Sequence, residues 1–163
     1  MNLIVDLFTN RMIMIPVISW IIAQILKAVI NLLVTREFKL ERLFGDGGMP
    51  SGHSATVVSL AVLCAWSYGL GSIYFAISGI LAIIVMHDAS GVRLEAGKQA
   101  TQIKKLAEII NGMFLGENEQ IRTEKLKEFI GHTPIQVVSG ALLGFLVALI
   151  HLIIVQMPYM GLA

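Results

Sequence analysis

The sequence predicts an all-α integral membrane protein, a helical bundle of four transmembrane helices plus two amphipathic cytoplasmic helices. Hydrophobic residues make up 56% of the 163 residues and charged residues only 14%, whereas a soluble domain carries about 25% charged residues. Four apolar stretches also approach the roughly 20 residues that a helix needs to cross a bilayer. The length suits one domain, so we expect residues 1–163 to form a single membrane domain.

The predicted spans are spaced unevenly along the chain. The first covers residues 12–34, and the second, which is short, covers residues 54–70. The third, over residues 72–86, follows almost at once, and the intervening Gly69-Leu70-Gly71 predicts a tight helical hairpin. The fourth covers residues 134–157, after a long polar loop.

Lysine and arginine residues predict how the bundle is oriented. Ten of the twelve lie in the loops between spans one and two and between spans three and four. The positive-inside rule makes such loops cytoplasmic, so we expect both termini outside and the protein in the cell (inner) membrane. The net charge of +1 provides no field that would attract nucleic acid, and no nucleic-acid partner is expected.

The loop between spans three and four carries an amphipathic insertion at residues 99–131. Ile103, Leu106, Ala107, Ile110 and Phe114 recur at helical spacing, with charged residues opposite, and a second helix is predicted over residues 120–130. Such helices can lie on the membrane, cap a site, pack on their own bundle or pair with another subunit. We expect the membrane as a partner, and a homo-oligomer formed through the 99–131 helices.

A glycine-rich segment, Gly47-Gly48-Met49-Pro50-Ser51-Gly52-His53-Ser54, precedes the second span. Glycines let a backbone approach an anion closely, and the start of a helix presents free N–H groups to it. Ser51 is expected to cap the helix. His53 then lies in the first turn, where it can give a proton to a leaving oxygen. An ordinary Gly-Pro turn with a capping serine would produce the same spacing.

A second histidine stands just before the fourth span, in Gly131-His132-Thr133-Pro134-Ile135-Gln136. Thr133 and Gln136 form a capping box with proline at the first helical position, so His132 lies just outside the helix. An oriented neutral imidazole can act as a nucleophile. Gln136 can orient that ring, or it can serve only as the cap.

Charged residues stand near both histidine segments. Lys27 shares a helix face with Gln24 and Asn31. A lysine inside a span usually faces the protein interior or a wet cavity, although one near the end of a span can also extend to the surface. Asp88 and Arg93 follow the third span. They can pair with each other, or Arg93 can clamp a phosphate.

No metal or cofactor is expected. The sequence has one cysteine, Cys64, and no Cys/His cluster or His-Glu-x-x-His segment, so no zinc site is predicted. It also contains no P-loop and no dinucleotide-binding fingerprint. His151, in the middle of the fourth span, is expected to be a residue of the bundle interior.

The two histidine segments resemble the second and third signatures of the type 2 phosphatidic acid phosphatases, relatives of the vanadium haloperoxidases. The chain as a whole is more similar to the divergent bacterial and plant branch of that superfamily. Three segments stand in the order typical of that branch, at residues 47–54, 88–93 and 131–134. The resemblance covers nearly the full length of the chain.

The resemblance implies a role for each matching residue. His132 corresponds to the nucleophile that takes the phosphoryl group, and His53 to the general acid for the leaving alcohol. Gln136 stands where the acidic partner of the nucleophile is expected, and Asp88 is the candidate to supply that charge. The residues expected to bind the substrate phosphate are Lys27, Ser51, Gly52, Arg93 and either Arg36 or Arg42.

The leading hypothesis is a membrane phosphatase that hydrolyses a lipid phosphate or an isoprenoid diphosphate through a phosphohistidine, without a metal. Positioning and cationic stabilisation of the transferred phosphoryl group would supply most of the catalysis. The alternative is a non-catalytic membrane protein of the same fold that binds a phosphorylated lipid or a protein partner. A transporter is less favoured, because the sequence has no repeated broken helices.

Overall fold

The computed structural model describes residues 2–36, 48–114, 121 and 131–160. Within these residues the regular structure is entirely helical, as predicted. The six helices are α1 (Leu3–Thr9), α2 (Arg11–Thr35), α3 (Gly52–Tyr68), α4 (Ile73–Ser90), α5 (Val92–Phe114) and α6 (Pro134–Met160). Each of the four predicted spans falls on one helix, namely α2, α3, α4 and α6.

Three helical stretches in the described part of the chain are long and apolar enough to cross a membrane. They are Arg11–Thr35, the run Ile73–Met113 in which α5 follows α4 directly, and Pro134–Val155. α3 is shorter, at 17 residues. It ends at Tyr68, and the capping residue Gly69 has a φ of 83°, which favours glycine.

α3 lies at the centre of the bundle and packs against α2, α4 and α6. Its contact with α6 is close, because a Cβ at Gly140 would overlap the carbonyl oxygen of Ser51, and a Cβ at Gly144 would overlap that of Ala55. Small residues of this kind let the backbones of membrane helices approach each other. The buried hydrophobic cluster of the bundle is formed by Ile15, Leu63 and Ala148.

α3 begins deeper in the bundle than its neighbours. Its first residue, Gly52, lies beside Trp20 and Gln24 of α2, and α2 continues beyond that level to Thr35. At 1.5 Å per residue, this extension of α2 is about 16 Å long. α6 also begins before the level at which it meets α3. The start of α3 therefore lies between two helices that extend beyond it, and the region between their ends is called the recess below.

α5 is amphipathic, but its large hydrophobic residues are exposed and its buried side consists of small residues. Ile103 is 49% exposed and Leu106 is 58% exposed, whereas Ala100 and Ala107 are buried. The helix begins at Val92, before the predicted boundary at residue 99. Apart from residue 121, the predicted second amphipathic helix lies outside the described residues.

Candidate functional site

The first histidine segment is folded around its capping serine. Ser51 Oγ accepts hydrogen bonds from the backbone N–H of Ser54 at 3.4 Å and from the hydroxyl of Ser54 at 3.1 Å, so Ser51 caps α3 as predicted. Ser51 is fully buried. Because α3 begins at Gly52, His53 lies in the first turn of the helix.

Gln136 performs both functions that the sequence left open. Its Oε1 accepts the backbone N–H of Thr133 at 3.0 Å, which caps α6. The same oxygen lies 3.3 Å from Nδ1 of His132. Because the backbone donor fixes Oε1 as an acceptor, Nδ1 must carry the proton of the neutral imidazole. The lone pair of His132 therefore lies on Nε2.

Nε2 of His132 is the unpaired ring nitrogen of the site. His132 is 2% exposed, and among the described residues its Nε2 is one of two buried side-chain polar atoms without a hydrogen-bond partner. Such unpaired buried atoms are uncommon in folded proteins. The ring of His53 lies nearby, with 6.3 Å between the two ring centroids. The structure thus brings the two histidines together.

Burial lowers the pKa of His132 below the ordinary value of 6.5. The positive charges of Lys27 and His53 lower this pKa further, whereas the hydrogen bond to Gln136 and the Gly48 backbone act in the opposite direction. The neutral imidazole therefore predominates at neutral pH, which leaves Nε2 able to attack an electrophile.

Lys27 belongs to the same site. It is 5% exposed, and its Cγ and Cδ atoms lie 3.2 Å from the position that a Cβ on Gly48 would occupy. Gly48 also has a φ of 99°, which favours glycine. The glycine therefore provides both the turn and the space for the lysine side chain. Since the charge of Lys27 acts on His132, the lysine links the glycine-rich segment to the second histidine.

Backbone hydrogen bonds hold the histidine segments in place. The N–H of Ser51 donates to the carbonyl of Gln136 at 3.0 Å, and the N–H of His132 donates to the carbonyl of Ala89 at 2.9 Å. Gly131 packs so closely that a Cβ there would overlap the backbone at the start of α5. Backbone contacts alone thereby join the two histidine segments to each other and to the end of α4.

Asp88 and Arg93 pair with each other. Nε of Arg93 donates to Oδ2 of Asp88 at 2.6 Å, and the two side chains are 44% and 40% exposed, respectively. The side chain that bonds to the His132 ring is Gln136. Asp88 as the acidic partner and Arg93 as a phosphate ligand therefore stay predictions. Arg42 lies outside the described residues.

One contributor to the site was not predicted, and a second was predicted only in part. The backbone carbonyl of Ala89 positions His132, and no side-chain pattern can indicate this. Gln24 was placed on the face of Lys27, but its Nε2 also lies 3.7 Å from the position of a Cβ on Gly52. That proximity depends on how α2 packs against α3, which helical periodicity alone does not specify.

Comparisons with known proteins identify relatives of this chain. A family model described as the divergent PAP2 family matches residues 8–147, which include both histidine segments. The chain is also 41% identical, over 152 residues, to the uncharacterized membrane protein YuiD of Bacillus subtilis (strain 168), and the alignment covers 89% of this chain and 96% of that relative. No solved structure matches the chain. The protein is a membrane protein, and it belongs to the divergent PAP2 family.

Proposed function

We propose that the protein hydrolyses a lipid phosphate or an isoprenoid diphosphate through a phosphohistidine on Nε2 of His132, without a metal. The observation that carries the proposal is the buried Nε2, which lacks a partner within the described residues while Gln136 holds the proton on Nδ1. Membership of the divergent PAP2 family supports the reaction class.

The first step transfers the phosphoryl group to the protein. Nε2 of His132 attacks phosphorus as the bond from phosphorus to the leaving oxygen breaks, and His53 gives its proton to that oxygen. The phosphorylated ring becomes cationic, and Gln136 keeps its Nδ1–H hydrogen-bonded. Lys27 and the backbone N–H of Gly52 balance the charge on the phosphoryl oxygens.

The second step releases phosphate. Water attacks phosphorus, His53 takes a proton from that water, and the bond between phosphorus and Nε2 breaks. Inorganic phosphate leaves, and both histidines return to their starting protonation states. The same pair of residues therefore serves both half-reactions, with His53 acting first as acid and then as base.

A non-catalytic protein of the same fold is the second candidate, and Gln136 favours it. A neutral amide orients an imidazole but stabilises an imidazolium less than a carboxylate does. A protein of this kind would bind a phosphorylated lipid or a protein partner in the same recess without turnover.

Phosphate release from purified protein distinguishes the two candidates. A panel of lipid phosphates and isoprenoid diphosphates should yield inorganic phosphate with the wild type and none with His132→Ala. A rapid quench with labelled substrate should trap label on His132 in an acid-labile bond. Binding of the same lipids without any release would favour the non-catalytic candidate.

We further propose that α3 is a fourth span, with both termini outside the inner membrane and the histidine segments on the cytoplasmic side. The positions of the basic residues support this orientation. The only cysteine, Cys64, is buried, so Cys64→Ser provides a background for labelling. A cysteine at Leu70 should react with an impermeant maleimide in intact cells, whereas one at Gln99 should react only after permeabilisation.

We also propose that a second copy of the chain pairs through α5. The exposed face of this helix carries large apolar residues, including Leu106 and Met113, which is 70% exposed. Exposed apolar surface of this kind marks interaction sites. Leu106→Glu should reduce the mass that light scattering measures for the purified protein in detergent.

A further inference from the structure

α2 presents a polar stripe to the glycine-rich segment. Trp20, Gln24 and Lys27 stand at i, i+4 and i+7 and so share one helix face. Cδ1 and Nε1 of Trp20 lie 3.0 and 3.4 Å from the position of a Cβ on Gly52, and Nε2 of Gln24 lies 3.7 Å from it. One turn further, Lys27 lies against Gly48. The stripe therefore runs along the glycine-rich segment from Gly52, at the start of α3, to Gly48 in the preceding turn.

Within this stripe, the side chain of Gln24 carries an unpaired polar atom. In the described part of the chain, its Oε1 and Nε2 of His132 are the two buried side-chain polar atoms without a partner. Burying an amide without a hydrogen bond is unfavourable. Rotation about χ3 would present NH₂ in place of oxygen, so either orientation leaves a polar group that a ligand can satisfy. The second unpaired atom, on the nucleophile, belongs to the same site.

We propose that the Gln24 carboxamide binds a phosphate oxygen of the ligand beside Lys27, and so completes the α2 side of the phosphate site. This inference rests on the proposed function, because it assumes that a phosphate ester enters the recess. The NH₂ group donates to a phosphate oxygen, and Lys27 supplies the charge. The ligand lies beside Gln24 and Lys27, where this stripe meets the start of α3.

Tryptophan fluorescence can measure this binding directly. The chain has two tryptophans, so Trp66→Phe leaves Trp20, which contacts Gly52, as the only indole. Inorganic phosphate should change the Trp20 emission saturably in this background. Gln24→Leu should weaken phosphate binding by about 10- to 100-fold, the usual effect of losing a hydrogen bond to a charged group. Gln24→Glu, which keeps the size and adds a like charge, should weaken it at least as much.

Stability and a matched control separate a ligand contact from a structural role. Gln24→Leu should leave the melting temperature unchanged or raise it, because the unpaired amide is removed. Gln99→Leu makes the same change at an exposed position on α5 and should not alter phosphate affinity. A wild type that does not bind phosphate, an unchanged affinity in Gln24→Leu, or a lowered melting temperature would each overturn the inference.

The same measurements keep this inference distinct from the proposed function. A protein that binds phosphate through Gln24 but releases none from lipids would uphold the inference and contradict the phosphatase. A protein that hydrolyses lipid phosphates with the same KM and phosphate affinity in Gln24→Leu would uphold the phosphatase and contradict the inference.

Discussion

The ring of His53 lies 6.3 Å from the ring of His132, centroid to centroid, with the two planes inclined by 63°. A general acid must come within about 3 Å of the oxygen that it protonates. Rings at this separation are close enough for both histidines to contact one bound phosphate ester.

The two histidines should differ in how much activity their loss removes. His132→Ala should abolish phosphate release, because the proposed phosphohistidine forms on Nε2 of this ring. His53→Ala should slow release by roughly 10² to 10⁴, the usual contribution of general acid–base catalysis. His151→Ala, a histidine change further along α6, should retain activity. Equal losses in the two site variants would contradict the separate roles.

Gln136→Glu should raise the pKa of His132 and increase turnover. The carboxylate keeps both hydrogen bonds that Oε1 accepts and adds a negative charge that stabilises the imidazolium. The acidic limb of the pH–rate profile should then move to higher pH. Turnover measured as a function of pH checks both effects. An unchanged profile would mean that Gln136 does not act on the reacting ring.

Gln136→Ala should reduce stability and activity together. The loss of the cap should cost about 0.5–2 kcal/mol in the free energy of unfolding, and the loss of the Nδ1 acceptor should release the tautomer of His132. Activity per folded molecule and thermal unfolding in detergent measure the two effects separately. Full activity per folded molecule would identify Gln136 as a cap alone.

Stability should fall as the pH is lowered through the range below 6.5. The folded pKa of His132 is below its ordinary value of 6.5, chiefly because of burial. Between the two pKa values the unfolded chain binds more protons than the folded one, so the free energy of unfolding rises with pH there. The stability that the neutral His132 contributes is complete above pH 6.5 and is lost once the pH falls through the folded pKa. His132→Asn should flatten this part of the thermal stability profile.

Gly140→Ala should separate α3 from α6. A Cβ at Gly140 would overlap the carbonyl oxygen of Ser51, and overpacking of this kind costs about 1–3 kcal/mol. Because Ser51 caps the helix that carries His53, activity should fall as well. Gly112→Ala is the matched control, since nothing lies within 4 Å of a Cβ there, and it should raise stability by about 0.5–1 kcal/mol. Equal stability of the two variants would contradict the close contact.

The residues that could be predicted are those that form hydrogen bonds with partners a few positions away in the sequence. Ser51 caps α3 and Gln136 caps α6 because each bond spans three residues, and such spacing is visible in a sequence. Three of the four predicted spans, those on α2, α4 and α6, lie in helical stretches that are long and apolar enough to cross a membrane, because length and composition specify such spans. The sequence left open whether Gln136 orients His132 or only caps α6. In the structure its Oε1 makes both contacts.

The rest depends on how the helices pack. The Ala89 carbonyl that receives the N–H of His132 has no side-chain signature. On α5, periodicity selected Ile103, Leu106 and Ala107, of which only the small Ala107 is buried, and it did not select the buried Ala100. Close helix contact requires small residues, but a hydrophobic pattern gives most weight to large ones.

If the proposed reaction takes place, the position at which α3 begins would make its rate depend on bilayer thickness. Seventeen residues of helix span about 26 Å, slightly less than the roughly 30 Å of a typical hydrocarbon core. If α3 stands upright in the membrane, its capping serine lies at the depth where lipid headgroups begin, while α2 continues past it. A lipid phosphate would meet His132 without leaving its leaflet. In a thicker membrane the lipid phosphates would lie further from His132. The acyl-chain length of the surrounding lipids would then change turnover, although those lipids do not bind at the site.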